Sequence, residues 1–159
     1  MSEPALRRAT AADADKLTML AQAAYARHVA VIGREPMPMT ADWAQLLSEQ
    51  EIWIVDGLAG EAVASLALEL QADHVMVWSV AVAPAHQQRG LGRRLMAFAE
   101  RRARELQRPE LRLFTNARME GNIALYRRLG YRETQREQLP DRVLVHMSKA
   151  VAVDGNTRT

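Results

Sequence analysis

The chain has 159 residues, of which 48% are hydrophobic, and its formal net charge is +2 at pH 7. This length suits one domain with a sizeable core, so we expect a single domain over residues 1–150 and a flexible polar tail over 151–159. The absence of cysteine excludes disulfides, thiolate metal sites and cysteine nucleophiles, and it fits a reducing cytoplasm. No segment resembles a signal peptide or approaches the roughly 20 apolar residues that span a bilayer, so we expect a cytoplasmic protein with no membrane partner.

The first third of the chain is predicted to contain one short strand and two helices. Residues 6–9 are the strand candidate, and Thr10 with Asp13 three positions later indicates a capping box that opens a helix running to about His28. A connector over 33–39, rich in glycine and proline, interrupts regular structure, and Thr40 is then predicted to cap a second helix. The apolar stripes of the two helices are Leu17, Leu20, Ala24 and Tyr25, and Trp43, Leu46 and Leu47.

The middle of the chain is predicted to form an antiparallel meander. Apolar runs at 52–55, 62–70 and 74–82 are separated by turn residues, which is typical of consecutive hairpin strands. Pro84 cannot donate a ladder hydrogen bond, so the last of these strands ends before it. Residues 142–147 are predicted to form the closing strand. The helix that follows the meander is predicted to bury Leu91, Leu95, Phe98 and Leu106.

A glycine-rich loop joins the last meander strand to that helix. Residues 87–92 read Gln-Gln-Arg-Gly-Leu-Gly, a Gln-x-x-Gly-x-Gly motif. Glycines at 90 and 92 allow the backbone to approach a ligand, and the first-turn N–H groups of the helix have no partner within the helix. The loop is therefore predicted to bind an anion such as a pyrophosphate. A tight strand-to-helix turn also explains a Gly-x-Gly, so this interpretation needs support from elsewhere in the chain.

A second segment gives that support. Residues 111–131 read as a strand, a loop and a helix that ends at Gly130. Together with the glycine loop, this segment resembles the GNAT superfamily of acetyl-CoA-dependent N-acetyltransferases, over about 75–131. The resemblance implies an α/β fold of the α+β type, with a mixed, mostly antiparallel sheet of six or seven strands flanked by about four helices. It also implies acetyl-CoA as the cofactor and CoA as a product.

The resemblance assigns cofactor binding to three parts of the chain. The loop would hold the CoA pyrophosphate, the strand before it would bind the pantetheine arm as though that arm were an added strand, and an asparagine would steady the arm. The commonest form of the second motif has asparagine where this chain has Met119, so either Asn116 or Asn122 takes that role. The predicted cofactor-binding residues are Val80, Ala81, Val82, Gln87, Gln88, Arg89, Gly90, Leu91, Gly92, Arg93, Asn116 and Asn122.

Acyl transfer to an amine needs a base for the amine, a donor that polarises the thioester carbonyl and an acid for the departing thiolate. The resemblance implies that an N–H group of Val80 or Val82 polarises the carbonyl and that Tyr126 is the acid, whereas a tyrosine packed on the sheet edge is the plain alternative. Glu69, near the end of its strand, is the best-placed carboxylate for the base, although a solvent-facing strand residue explains it at least as well. His74 is a second candidate, for which a surface turn histidine is the ordinary explanation.

Other polar residues have open interpretations. His28, Arg34 and Glu35 lie in the region that forms the acceptor wall in similar proteins, where they either select substrate or only cap helices. His86 lies within the loop spacing, where it would either touch the cofactor or, as is more common for such a residue, point to solvent. Glutamates interleave with the arginines of the helix after the glycine loop, and an aromatic stacking platform is missing, so we expect a solvated face and no nucleic-acid partner.

Several chemistries find little support. The four histidines are scattered and predict no metal site, and the loop lacks the Gly-Lys-Ser/Thr ending of a P-loop. The predicted reaction is direct transfer of an acetyl group from acetyl-CoA to a primary amine of a small molecule or peptide. The alternative is an acyl-CoA-binding or sensing module without catalysis. The acceptor stays open among amino acids, polyamines, aminoglycosides and protein N-termini, and homodimers are common among similar proteins.

Overall fold

The computed structural model describes residues 5–153, which form a seven-stranded mixed sheet and six α-helices. The strands are β1 (Arg7–Arg8), β2 (Glu51–Asp56), β3 (Ala62–Leu70), β4 (Val75–Val82), β5 (Glu110–Asn116), β6 (Arg132–Leu139) and β7 (Arg142–Ala150). The helices are α1 (Ala14–Tyr25), α2 (His28–Ile32), α3 (Met37–Thr40), α4 (Trp43–Glu49), α5 (Leu91–Glu105) and α6 (Glu120–Arg128). The strand order is β1-β2-β3-β4-β5-β7-β6, and every neighbouring pair is antiparallel except β4 and β5, which are parallel. The predicted sheet is confirmed, and the helix number exceeds the expected four because of the short helices α2 and α3.

The predicted capping box forms, but it opens a 3-10 turn over Ala11–Asp13 that leads into α1, and α1 ends earlier than predicted. The Asp13 side chain accepts a hydrogen bond from the Thr10 N–H at 2.8 Å, which completes the capping box. α1 ends at Tyr25 rather than near His28, and the chain turns before it enters α2. Gly33 ends α2 with a φ of 78°, in the left-handed region that glycine adopts without a steric penalty.

The prediction that Thr40 caps the next helix is wrong. Thr40 is the last residue of α3, and Asp42 caps α4 by accepting a hydrogen bond from the Gln45 N–H at 3.2 Å. α3 forms within the proline-rich connector because Pro38 lies in its first turn, where a missing N–H costs no helical hydrogen bond. Trp43 is buried and donates from Nε1 to the Pro38 carbonyl oxygen at 3.1 Å, which fixes this connector against the core.

The C-terminal strands differ from the prediction. The meander β2-β3-β4 is confirmed, but β7 continues to Ala150 and lies between β5 and β6, so the strand predicted over 142–147 does not close the sheet. The strand at this edge of the sheet is β6, which the sequence did not indicate because its residues Arg-Glu-Thr-Gln-Arg-Glu-Gln-Leu show no apolar alternation. Charged residues on an exposed edge strand discourage pairing with another sheet.

Two apolar layers cover the sheet. α5 and α6 pack on one face, and α1 and α4 pack on the other, where they cover residues of β2, β3 and β4. Among residues 5–153, no residue of β5, β6 or β7 belongs to the second layer, so the α1-side face of that half of the sheet is left open. α5 buries Leu91 and Leu95 as predicted, whereas Phe98 and Leu106 are only partly buried at its margin.

The chain continues packing slightly beyond β7. Val151 is buried, and its N–H donates to the Pro109 carbonyl oxygen at 2.8 Å. The rest of the predicted tail, from residue 154 onward, lies outside the described residues. Within residues 5–153, no helix is both long enough and apolar enough to cross a membrane.

Candidate active site

A cleft opens where the two parallel strands separate. β4 and β5 are paired only at Val75 with Leu111 and at Met76 with Arg112, and beyond these pairs the strands diverge. The space between them is a cavity of about 770 Å³, large enough for a cofactor-sized ligand. Its walls come from α1 to α3, the end of β4, the glycine loop, α5, α6 and strands β5 to β7.

The free edge of β4 presents backbone donors to this cleft. The Ala83 N–H donates across to the Val63 carbonyl oxygen at 2.8 Å, and because amides alternate in direction along a strand, the Val80 and Val82 amides point to the opposite edge. Their carbonyl oxygens are already bonded: Val80 accepts from the Tyr25 hydroxyl at 2.8 Å, and Val82 accepts from Gln87 Nε2 at 2.9 Å. The N–H groups of Val80 and Val82 are therefore the open donors on the cleft side.

Ala81 differs from its two neighbours. Val80 and Val82 line the cavity, whereas the Ala81 side chain is 2% exposed and packs under α1. Its amide faces β3 by the same alternation, where Ala81 is in register with Ser65. The structure thus brings two of the three predicted strand residues to the cleft and not the third.

The glycine loop forms a cradle of unpaired backbone N–H groups. Gly90 has a φ of 84° and caps α5, whose first internal hydrogen bond runs from the Arg94 N–H to the Gly90 carbonyl oxygen at 3.0 Å. Within residues 5–153, no backbone carbonyl accepts from the N–H groups of residues 88–93. All the predicted loop residues line the cavity except Arg89, which is exposed beside it.

Gly92 leaves open space at the start of α5. It lies inside the first turn of α5 without a positive φ, so the backbone itself does not require glycine there. A Cβ atom at Gly92 or at Gly90 would meet no protein atom within 4 Å. The open space beside these two glycines lets a ligand such as a pyrophosphate approach the first turn of α5, where the N–H groups are free.

The two candidate asparagines differ in what they already bond. Asn116 and Asn122 both line the cavity. The Asn116 side-chain oxygen accepts from the Arg118 N–H at 2.9 Å and so closes the turn between β5 and α6. Within the described part of the chain, the Asn122 amide has no hydrogen-bond partner, so it has more capacity left for a ligand.

Tyr126 lies on α6 with its side chain at the cavity wall. Its ring packs edge-on against Tyr131, with the ring centroids 5.9 Å apart. Burial, and secondarily the neighbouring Tyr25, raise the pKa of the Tyr126 hydroxyl above its ordinary value. No group among residues 5–153 hydrogen-bonds to this hydroxyl, so a protonated phenol faces the cleft with its proton available.

The structure does not bring the sequence-predicted base to the cleft. Glu69 is in register with Met76, at the end of the sheet where β4 and β5 are still paired, and it accepts from Gln71 Nε2 at 3.3 Å. β3 and β4 are antiparallel, so the end of β3 adjoins the start of β4, whereas the cleft opens at the end of β4. His74 lies at the same remote end and is hydrogen-bonded to Asp73 at 2.7 Å. Neither residue lines the cavity.

The far end of the cavity contains residues that sequence reasoning identified only in part. His28, Arg34 and Glu35 line it as expected, and burial lowers the pKa of His28, with the neighbouring Arg27 adding to the effect. The opposite wall comes from the β6–β7 hairpin, which the sequence did not predict because β6 lacks a strand pattern. That wall consists of Glu137, Leu139, Arg142 and Leu144.

His86 takes the less common of its two expected positions. It lines the cavity next to the glycine loop, and its Nδ1 atom is buried without a hydrogen-bond partner. No sequence pattern separates such a histidine from a solvent-facing one.

At least two of the five arginines of α5 pair with carboxylates. Arg102 makes a two-point ion pair with the buried Glu51, with N–O distances of 2.6 and 2.9 Å, and Arg104 lies 3.4 Å from Glu100. No group of three or more metal-ligating side chains occurs within residues 5–153. The chemistry of the molecule therefore concentrates in the cleft.

Comparisons with known proteins agree with this architecture. A family model described as the acetyltransferase (GNAT) family matches residues 17–131, which is more than two thirds of the chain. Among solved structures, the chain is similar to the ribosomal-protein-S18-alanine N-acetyltransferase from Escherichia coli, with 18% identity, 99% of each chain covered and a TM-score of 0.80. It is similar to the PaiA N-acetyltransferase from Thermoplasma acidophilum in complex with coenzyme A, with 13% identity, 94% of this chain and 99% of that chain covered, and a TM-score of 0.74.

A third similarity is partial. Nourseothricin acetyltransferase matches at 23% identity and a TM-score of 0.59, over 65% of this chain and 66% of that one, so the chain spans slightly less than two thirds of that protein. At these identities the solved structures show a shared fold, whereas the family model shows membership. The chain therefore belongs to the acetyltransferase (GNAT) family, whose members are acyltransferases that use acetyl-CoA.

Proposed function

We propose that this protein is an N-acetyltransferase that moves an acetyl group from acetyl-CoA to a primary amine of a small molecule or peptide by direct attack. The observation that carries the proposal is the divergence of β4 from β5, which leaves two free N–H groups on β4 in one cavity with an anion cradle and a protonated tyrosine. Bound acetyl-CoA would supply an activated thioester. The absence of cysteine supports a reducing cytoplasm as the compartment.

The cradle would hold the cofactor through its pyrophosphate. The free N–H groups of residues 88–93 and the positive end of the α5 dipole favour an anion at this point. Arg93 lines the same cavity and adds a positive charge. The open space over Gly90 and Gly92 supports a close approach of the phosphate groups.

The free edge of β4 would bind the pantetheine arm and polarise the thioester. An extended ligand that lies along the edge can accept from the Val80 and Val82 N–H groups as an added strand would. One of these donors, directed at the thioester oxygen, would stabilise the negative charge that develops there during attack. Asn122, whose amide is unbonded within the described residues, is the better candidate for the steadying asparagine.

Tyr126 would protonate the departing thiolate. Its raised pKa keeps the hydroxyl protonated throughout the neutral range, so the proton donor is present in every turnover. A phenol is a weaker acid than a thiol, so the transfer depends on proximity to the sulfur at the moment when the carbon–sulfur bond breaks.

Binding and turnover together test this function. Titration calorimetry should show saturable binding of acetyl-CoA and of CoA and none of NAD, and a panel of amines should then show amine-dependent release of free thiol. Binding without thiol release from any amine would favour a sensing module instead. Absence of binding would contradict the cofactor assignment itself.

A further inference from the structure

The open half of the sheet forms a groove with a defined chemistry, which we call the acceptor groove. Phe114 of β5, Leu144 of β7 and Leu139 of β6 line it, together with Ile32 and Met37 from the opposite wall. Phe114 is in register with His146, and Glu137 is in register with Leu144. Residues that are directly opposite on neighbouring strands share a face, so these side chains lie on one surface of the sheet.

One carboxylate in this apolar groove is held in a fixed direction. Glu137 Oε1 accepts a hydrogen bond from His146 Nε2, with the two atoms 2.9 Å apart. The His146 ring packs against Phe114 with the ring centroids 5.6 Å apart, and its side chain is 26% exposed. The Glu137 side chain is 43% exposed, so its second oxygen stays accessible from the groove.

We propose that Glu137 binds the acceptor as an ammonium group and removes its proton, and that the groove selects amines carried on an apolar body. The proposal rests on the proposed acetyltransferase function and goes beyond it by assigning the base and the acceptor class. Glu137 would be a catalytic residue because it contacts the amine, and His146 would be a positioning residue.

The proton balance of the step is complete with these groups. The ammonium gives one proton to Glu137, which passes it to solvent, and the neutral nitrogen attacks the thioester carbon. The carbon–nitrogen bond forms, the carbon–sulfur bond breaks, and the thiolate takes the Tyr126 proton. The nitrogen loses its second proton as the amide forms, which restores Tyr126, so the products are the acetylated amine, CoA thiol and one proton.

The other charged groups at this end of the cavity fit the role less well. Arg34 and Arg142 both pair with Asp141, and Arg27 is a cation that would repel an ammonium group. Glu35 is exposed at the opposite wall. Burial lowers the pKa of His28, which disfavours its charged form, so His28 is the rival base.

The test compares Glu137→Gln with Glu69→Gln, a carboxylate of similar kind at the remote end of β3. We expect Glu137→Gln to lower kcat/KM for the amine at neutral pH by roughly 100-fold or more. The remaining kcat/KM should rise with pH toward the pKa of the free amine, because the variant can use only amine that has already lost its proton in solution. The acetyl-CoA affinity measured by calorimetry should be unchanged, and Glu69→Gln should match the wild type. His146→Phe keeps the ring packing but cannot hydrogen-bond to Glu137, so it should lower kcat/KM by less than Glu137→Gln does and should not make activity follow the pKa of the amine.

A series of linear alkylamines tests the acceptor class. Each added methylene that enters the groove should raise kcat/KM by about fourfold, and amines that carry a second charge should be poorer substrates. Wild-type kcat/KM in Glu137→Gln, or a rise of kcat/KM toward the pKa of the amine in His28→Gln instead, would overturn the assignment of the base while leaving the acetyltransferase function in place. Failure of the wild type to acetylate any amine would contradict both the assignment of Glu137 and the acetyltransferase function.

Discussion

Substitutions in the glycine loop can show an effect on acetyl-CoA binding separately from an effect on fold stability. Gly90, in the loop, and Gly60, in the β2–β3 turn, have nearly the same backbone conformation, with φ values of 84° and 86°. A Cβ atom at either position would meet no protein atom within 4 Å. The substitutions Gly90→Glu and Gly60→Glu therefore impose the same local cost on the fold, and only the first places a side chain in the cleft.

The expected magnitudes follow from the conformation and the charge. A residue with a Cβ atom loses about 1–2 kcal/mol in the left-handed region, of which the reduced freedom of the unfolded chain recovers up to about 1 kcal/mol. Both variants should therefore lose about 1 kcal/mol of unfolding free energy. A glutamate about 4 Å from a phosphate charge costs about 4 kcal/mol at an effective dielectric constant of about 20, which weakens acetyl-CoA binding roughly a thousandfold in Gly90→Glu alone.

Urea unfolding and titration calorimetry measure the two quantities on the same preparations. Gly90→Ala separates the steric part from the electrostatic part, because only the glutamate variant should recover affinity as salt screens the charge. Equal acetyl-CoA affinity in Gly90→Glu and Gly60→Glu would refute the assignment of the loop as the pyrophosphate site.

Three further predictions concern catalysis and stability. Tyr126→Phe should lower kcat by roughly 100-fold or more with acetyl-CoA affinity nearly unchanged, and undiminished turnover would remove Tyr126 from the mechanism. The Arg7 guanidinium, aided by the Thr10 N–H, lowers the pKa of Asp13 to about 2. Asp13→Asn should therefore lower the unfolding free energy by up to about 2 kcal/mol at pH 7, and this deficit should fade as pH drops from about 4 to 2. A deficit in urea unfolding that does not change with pH would contradict the ion pair. Arg102→Met leaves the 3%-exposed Glu51 side chain without its two-point partner and should cost about 3 kcal/mol in thermal unfolding, whereas the double variant with Glu51→Gln should recover part of that loss.

The sign of the Asp13 effect follows from the direction of its pKa. The folded-state pKa lies below the ordinary value of 3.8, so the ionised form is the one that folding favours. The contribution is complete above the ordinary value and is lost as pH falls through the folded-state pKa. The same reasoning applied to Tyr126, whose pKa is raised, predicts no loss of the proton donor up to about pH 10.

The sequence predicted those parts of the fold in which local pattern and tertiary context agree. The meander strands alternate or run apolar because both faces of β3 are buried. The glycine loop is recognisable because Gly90 adopts a positive φ and because Gly90 and Gly92 leave open space beside the free N–H groups of the loop. The sequence did not predict β6, because an exposed edge strand needs no apolar alternation and its charged residues resemble those of a loop.

The acceptor side of the cleft depends on contacts that sequence distance conceals. Arg34 and Asp141 form an ion pair although 107 positions separate them, which brings the connector before α3 against the β6–β7 turn. Glu137 reaches the cavity only because β6 pairs with β7 at the open half of the sheet. Position in a strand favours Glu69, but strand direction places it at the end of the sheet where β4 and β5 are still paired, which no local pattern reveals.

The most direct test of acetyl transfer is the stoichiometry of the reaction. The purified protein would be incubated with acetyl-CoA and one apolar primary amine. A colorimetric assay would measure the free thiol, and mass spectrometry would measure the acetylated amine. The account predicts one thiol released for each acetylated amine formed, with no acetyl group retained on the protein. Saturable acetyl-CoA binding with neither product formed, for that amine and for the wider panel, would contradict it.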